Sequence, residues 1–150
     1  MLAATMVTAC VPSEPYSPVA VLADGSQVQV RLTNCPPSPV NQVRIIPLRL
    51  RKDKLLDTNV PAVWQVSFAQ PTVITAVVVG TEAPSGGTLD IALAGPLDPA
   101  TEYVVFLRYP NGGKPYAVFK PEELHDGRVQ FETTYLSREE FDRRSACKAK

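Results

Sequence analysis

Short apolar runs, each closed by proline, glycine or an Asp/Asn-containing turn, fill the chain from Val19 to Tyr135. This punctuation constrains the fold more than any other feature. Proline lacks the amide hydrogen that a helix interior needs and fixes its own φ, so segments interrupted this often cannot form long helices. Fifteen prolines occur in 150 residues, clustered at 12–18, 36–39, 96–99 and 110–121. Strand formers dominate between the clusters, and several runs alternate with period two.

In "SQVQVRLTN", Val28, Val30 and Leu32 share one face and Gln27, Gln29 and Arg31 the other, the signature of a strand with one wet side. "DG" at 24–25 supplies a turn between it and the preceding "PVAVL". "VNQVRIIPLRL" reads as a strand that Pro47 places at an edge or a bulge. In "AVWQVSF", Trp64, Val66 and Phe68 alternate with Gln65 and Ser67, while "TVITAVVVG" is apolar on both faces and suggests a central strand. "TLDIALAG" puts Leu89, Ile91 and Leu93 inward; "EYVVFLRY" and the short "YAVF" follow. "GRVQFETTY" closes the series with Val129, Phe131, Thr133 and Tyr135 on one side. Seven to nine such strands predict a mainly β fold, an antiparallel β-sandwich of immunoglobulin or fibronectin type, with a small barrel as the alternative.

The end of the chain departs from this rule. In "LSREEFDRRSACK", Ser137 can cap a helix that Glu140 reaches back to, and Leu136 and Phe141 stand at staple positions around the cap. Acids lie near its start and Arg143, Arg144 and Lys148 near its end, as the helix dipole prefers. A short C-terminal α-helix over 137–147 follows. "PEELHDG" at 121–127 predicts a single helical turn ended by Gly127.

Composition bounds the role. A chain of 150 residues buries about 70% of its unfolded surface as one domain. Fifteen basic residues balance fifteen acidic ones, so no net field draws the chain to nucleic acid or anionic lipid. No run reaches the ~18 consecutive apolar residues of a membrane-spanning helix.

Of the three cysteines, Cys10 stands in "Val7-Thr8-Ala9-Cys10", which resembles the bacterial lipobox, where the signal peptidase cuts before a cysteine whose thiol carries a diacylglycerol. The Pro/Ser-rich stretch 11–18 has the composition of an extended tether. Residues 1–9 then read as the remnant of a signal peptide whose charged start lies upstream, 10–18 as anchor and tether, and 19–150 as the sandwich domain. The plainer alternative is an intracellular protein with a frayed start. With Cys10 on lipid, Cys35 and Cys147 remain as a pair that would close a loop of about 110 residues, worth on the order of 4–5 kcal/mol. Three cysteines allow three single pairings, or none, and spacing does not choose among them. Together "VTAC", "NC", "AVWQV", "VVVGTEAPSGG", "GPLDPATEYVV" and "LSREEFDRRSAC" resemble small exported proteins of actinobacteria, many of them lipoproteins. The resemblance implies an envelope location and a β-rich domain; it carries no activity and no functional residue.

Chemistry is sparse. His125, the single histidine, neighbours Asp126 in a turn, and no "GxSxG" elbow accompanies it. "GTEAPSGG" at 80–87 lacks the Lys-Ser/Thr ending of a phosphate loop and reads as a flexible strand connection. "RLRKDKLLD" at 49–57 interleaves Asp53 and Asp57 with its cations and reads as a solvated loop, with a face for acidic cell-wall polymers as the functional alternative. The carboxylates of "EELHD" and "REEFD" fit no calcium loop, no zinc spacing is present, and Trp64 alternates like a core residue. The expectation is a non-enzymatic protein with no catalytic residues, metal or cofactor. It is lipid-anchored and extracytoplasmic, and binds a protein or cell-wall polymer through an edge strand or end loops. A soluble intracellular interaction domain is the runner-up.

Overall fold

A computed structural model of the chain describes residues 19–33 and 36–144. Cys10, Cys35 and Cys147, the tether at 11–18 and the helix beyond Arg144 lie outside the described residues. The fold is the expected antiparallel β-sandwich. One sheet runs β10 (Thr134–Leu136), β9 (Val129–Phe131), β1 (Val19–Asp24), β2 (Gln27–Leu32), β5 (Ala76–Val79). The other runs β6 (Gly87–Ile91), β4 (Trp64–Thr72), β3 (Val40–Pro47), β7 (Tyr103–Arg108), β8 (Tyr116–Phe119). Every pairing among them is antiparallel. Without β6 and the β9–β10 hairpin, the frame is β1-β2-β5 facing β4-β3-β7-β8, an immunoglobulin- or fibronectin-like sandwich of two open sheets rather than a barrel.

The core follows from the alternation. Val21 and Val30 of the first sheet are fully buried against Val43, Ile45, Trp64, Val66, Val105, Leu107 and Phe119 of the second. Trp64 donates its indole N–H to the Gly80 carbonyl at 3.2 Å, so the one polar atom of the largest core side chain is satisfied. The β1–β2 turn is the two residues Gly25 and Ser26, and Gly25 takes φ +62°, a value a side chain resists.

Each sheet also carries an apolar cluster on its outer face. On the first, Ala20, Leu22, Val129 and Phe131 lie beneath Phe141 of α1 (Arg138–Arg144). On the second, Ile46, Val104 and Phe106 are roofed by Val60, Leu48 and Leu56 of the long β3–β4 loop.

Four strand readings need correction. β3 is the central strand of its sheet, not an edge, because Pro47 is its last residue, where a missing amide hydrogen breaks little of the ladder. The segment 72–80 is not central: β5 is a four-residue edge strand paired only with β2. "GRVQFETTY" is not one strand but a tight hairpin turning at Glu132 and Thr133. Along 89–93, Leu89 of β6 and Leu93 beyond its end pack on the core but Ile91 is 37% exposed. The turn at 121–127 begins as a 3₁₀ turn with Leu124 buried and kinks at His125 and Asp126, whose backbone angles are not helical.

Candidate functional site

The outer face of the second sheet changes character along its strands. One end is apolar and covered by the β3–β4 loop; the other is open and polar. Register produces two rows across it. Thr88, Ser67, Gln42 and Arg108 align on β6, β4, β3 and β7, and Gln65, Arg44, Phe106 and Tyr116 on β4, β3, β7 and β8. Between Gln65 and Val66 the pairing with β6 shifts by one residue, and this bulge sets Asp90 beside the first row.

A hydrogen-bonded chain organises the polar end. Gln42 Nε2 donates to Ser67 Oγ at 3.3 Å, and the Ser67 hydroxyl donates in turn to Asp90 Oδ2. Gln65 Nε2 donates to the same carboxylate oxygen at 3.0 Å. The hydrogen bonds from Ser67 and then Gln65 hold the Asp90 carboxyl below its usual value, so it is ionised at neutral pH.

Next to this chain lies a cleft of about 210 Å³ where two strands and two loops meet. β3 and β7 give it Gln42, Arg44, Phe106 and Arg108; the β3–β4 loop gives Thr58 and Asn59; the β7–β8 loop gives Lys114. Local structure fixes both loops. Asp57 Oδ1 accepts the Asn59 amide at 2.9 Å, and Val63 N–H donates to Ile45 O at 2.9 Å, tying the first loop back to β3. In the second, Asn111 Oδ1 accepts Gly113 N–H at 2.9 Å and Tyr109 N–H donates to Gly113 O at 2.9 Å, with Gly112 at φ +87°.

Arg44 is the best-fixed cation. Its terminal nitrogen donates to Thr58 O at 3.2 Å and Val60 O at 3.4 Å, and its guanidinium lies 5.9 Å from the Phe106 ring centroid. Its Nε is buried without a partner. Among the described residues, Arg44, Arg108 and Lys114 form no ion pair, and no carboxylate lines the cleft. Three uncompensated positive charges therefore converge on one small concavity in a chain of zero net charge. Such a place favours an anion.

The residues singled out in the sequence stand elsewhere. His125 Nδ1 meets Asp126 Oδ2 at 2.9 Å, with both side chains more than half exposed on a turn. The loop 80–87 crosses from β5 of one sheet to β6 of the other with most of its residues exposed, and only at its end, where Gly87 opens β6, would a Cβ come within 3.0 Å of Phe68 and Val66. In the loop 49–57, Leu50 bridges to Leu56, Arg51 pairs with Asp53, and Leu50 and Leu55 are 57% and 59% exposed. Glu122 pairs with Lys120 and Glu123 with Arg128; Glu140 pairs with Arg143 and Asp142 with Arg138. Among the described residues no group of three His, Cys, Asp or Glu stands ready to hold a metal, and no helix is long and apolar enough to cross a membrane.

Sequence reasoning passed over Gln42, Arg44, Asp90, Arg108 and Lys114. Alternation on β3 does put Gln42 and Arg44 on the wet face, but only the sheet register brings Arg108 and Lys114 beside them. Comparison with known proteins gives no match: neither a family model, nor a curated protein, nor a solved structure matches the chain.

Proposed function

We propose that the chain is a non-enzymatic binding module of the cell envelope. It is held to the membrane by a lipid on Cys10 and engages its target through the open polar face of the second sheet. One observation carries the binding reading: a hydrogen-bonded strip of Gln42, Gln65, Ser67 and Asp90 leads directly into a cleft with uncompensated charge. Polar groups on an uncommitted sheet face are usually pointed at random into solvent. Here their donors are ordered and aligned, which lowers the entropy cost of meeting a partner. The "VTAC" motif and the Pro/Ser stretch after it support the anchor, and export is the setting in which Cys35 and Cys147 would bridge.

Two measurements test this reading. Metabolic labelling with a palmitate analogue should mark the wild-type chain and not Cys10→Ala; equal labelling removes the anchor. Co-sedimentation of purified protein with isolated envelopes should be lost in Ser67→Arg, which obstructs the strip. It should survive in Gln29→Arg on the outer face of the first sheet. Loss in neither variant removes the assigned face, and no sedimentation of the wild type removes the binding role.

A further inference from the structure

We infer that the cleft between β3, β7 and their loops is the subsite for an anionic group, a phosphate or carboxylate, carried on a hydroxyl-rich glycan. The inference rests on the binding reading above and deepens it by naming the ligand chemistry.

The charge argument comes first. Arg44, Arg108 and Lys114 surround the cleft with no carboxylate in its lining, so the positive field inside is not cancelled. Arg44 holds its fork in place through the Thr58 and Val60 carbonyls and the Phe106 ring, and an Arg fixed this way loses little freedom on meeting an oxyanion. Its buried Nε, lacking a partner, is a donor whose desolvation nothing in the described chain offsets. That atom is closed to solvent, so it adds to the positive field at the cleft rather than to the contacts a ligand makes there.

Size comes second. About 210 Å³ is less than the ~300–1,000 Å³ of pockets that enclose a whole small ligand. The cleft suits one charged group and its immediate carrier, with the rest of the molecule lying outside.

The neighbouring strip then selects the carrier. Gln42, Gln65, Ser67 and Asp90 offer donors and acceptors side by side, which matches hydroxyls that do both. Asp90 lies two strands from Arg44, roughly 10 Å at the ordinary strand spacing. Its ionised carboxylate would repel a continuous polyanion laid along the face, which speaks against nucleic acid. A ligand with one anionic end and a neutral hydroxylated remainder meets complementary groups along the whole path.

The test uses the full chain at constant ionic strength, followed by calorimetry and by amide and side-chain NMR shifts. Glucose 6-phosphate, glucuronate, glucose, inorganic phosphate and a short poly-glutamate are the probes. The phosphate or the carboxylate sugar should bind about tenfold more tightly than glucose and shift Gln42, Arg44 and Arg108, and the tighter arm identifies the anion. Arg44→Gln should weaken it about tenfold and Lys114→Gln about threefold, and added salt should weaken it further. Lys114 is exposed, so its variant folds whatever Arg44→Gln does, and Trp64 fluorescence verifies both. Equal affinity for glucose, shifts outside the cleft, or indifference to both substitutions overturns the inference. Tighter binding of poly-glutamate or of inorganic phosphate alone overturns the glycan assignment. Envelope co-sedimentation separates the two levels: binding that ignores Arg44→Gln and Lys114→Gln leaves the module reading standing and removes this one.

Discussion

Two tyrosine hydroxyls show how single atoms close this fold. Tyr103 Oη accepts the Asp98 amide and Tyr135 Oη accepts the Lys120 amide, each at 2.9 Å, pinning a loop to the core. Tyr→Phe at either position leaves that N–H without its acceptor, so each should cost about 1 kcal/mol in urea denaturation. Asp90 makes a prediction with a sign. Its folded-state pKa lies below the unfolded value of ~3.9, so its contribution is present above that pH and is lost as pH falls through the folded value. Asp90→Asn should therefore flatten the acid side of the stability curve below about pH 5, and leave the slope between pH 6 and 8 unchanged. The amplitude is small, because the carboxylate faces water. Trp64 was legible from alternation alone. Arg44 was not, since a wet-face arginine has the same sequence pattern whether or not an acid faces it.

At the scale of elements, the C-terminal helix was the most readable piece. Ser137 Oγ accepts the Glu140 amide at 3.2 Å, its carbonyl accepts the Phe141 amide at 3.0 Å, and Leu136 packs on the cluster that contains Phe141. Half of the expected capping box differs: the Glu140 carboxylate pairs with Arg143. Phe141 meets Phe131 edge-on at 5.3 Å and is nearly inaccessible. Phe141→Ala should cost about 3 kcal/mol and Ser137→Ala about 1 kcal/mol in thermal or chemical unfolding. The double variant should lose less than the sum, because a helix lifted from the sheet has little left for its cap to secure. The hairpin before it was hidden. Its turn has no Gly, Pro or Asn; Glu132 takes φ +57°, held by Arg144 on its carboxylate and Gln130 on its carbonyl. Arg144 reaches it from α1 and Gln130 from two residues back, and period-two reading registers neither contact. The exchanged positions of β3 and β5 have the same origin, since alternation reports faces and not who pairs with whom.

The whole molecule is a sandwich with a second apolar cluster outside each sheet, one under α1 and one under the β3–β4 loop. These outer clusters are alike in kind but differ in what they hold. Val60 anchors the loop in the second cluster while its carbonyl orients Arg44. Phe141 anchors α1 on the opposite face, far from any cleft residue in the sheet order. Val60→Ala should cost about 2 kcal/mol and, by loosening the loop carbonyls, should also weaken anion binding at the cleft severalfold although the side chain lines none of it. Phe141→Ala should destabilise at least as much and leave that affinity unchanged. Calorimetric titration of the two variants, run well below their melting temperatures, separates a loss of stability from a loss of site geometry. An equal fall in affinity for both would mean that the cleft depends on global rigidity and not on the loop that frames it.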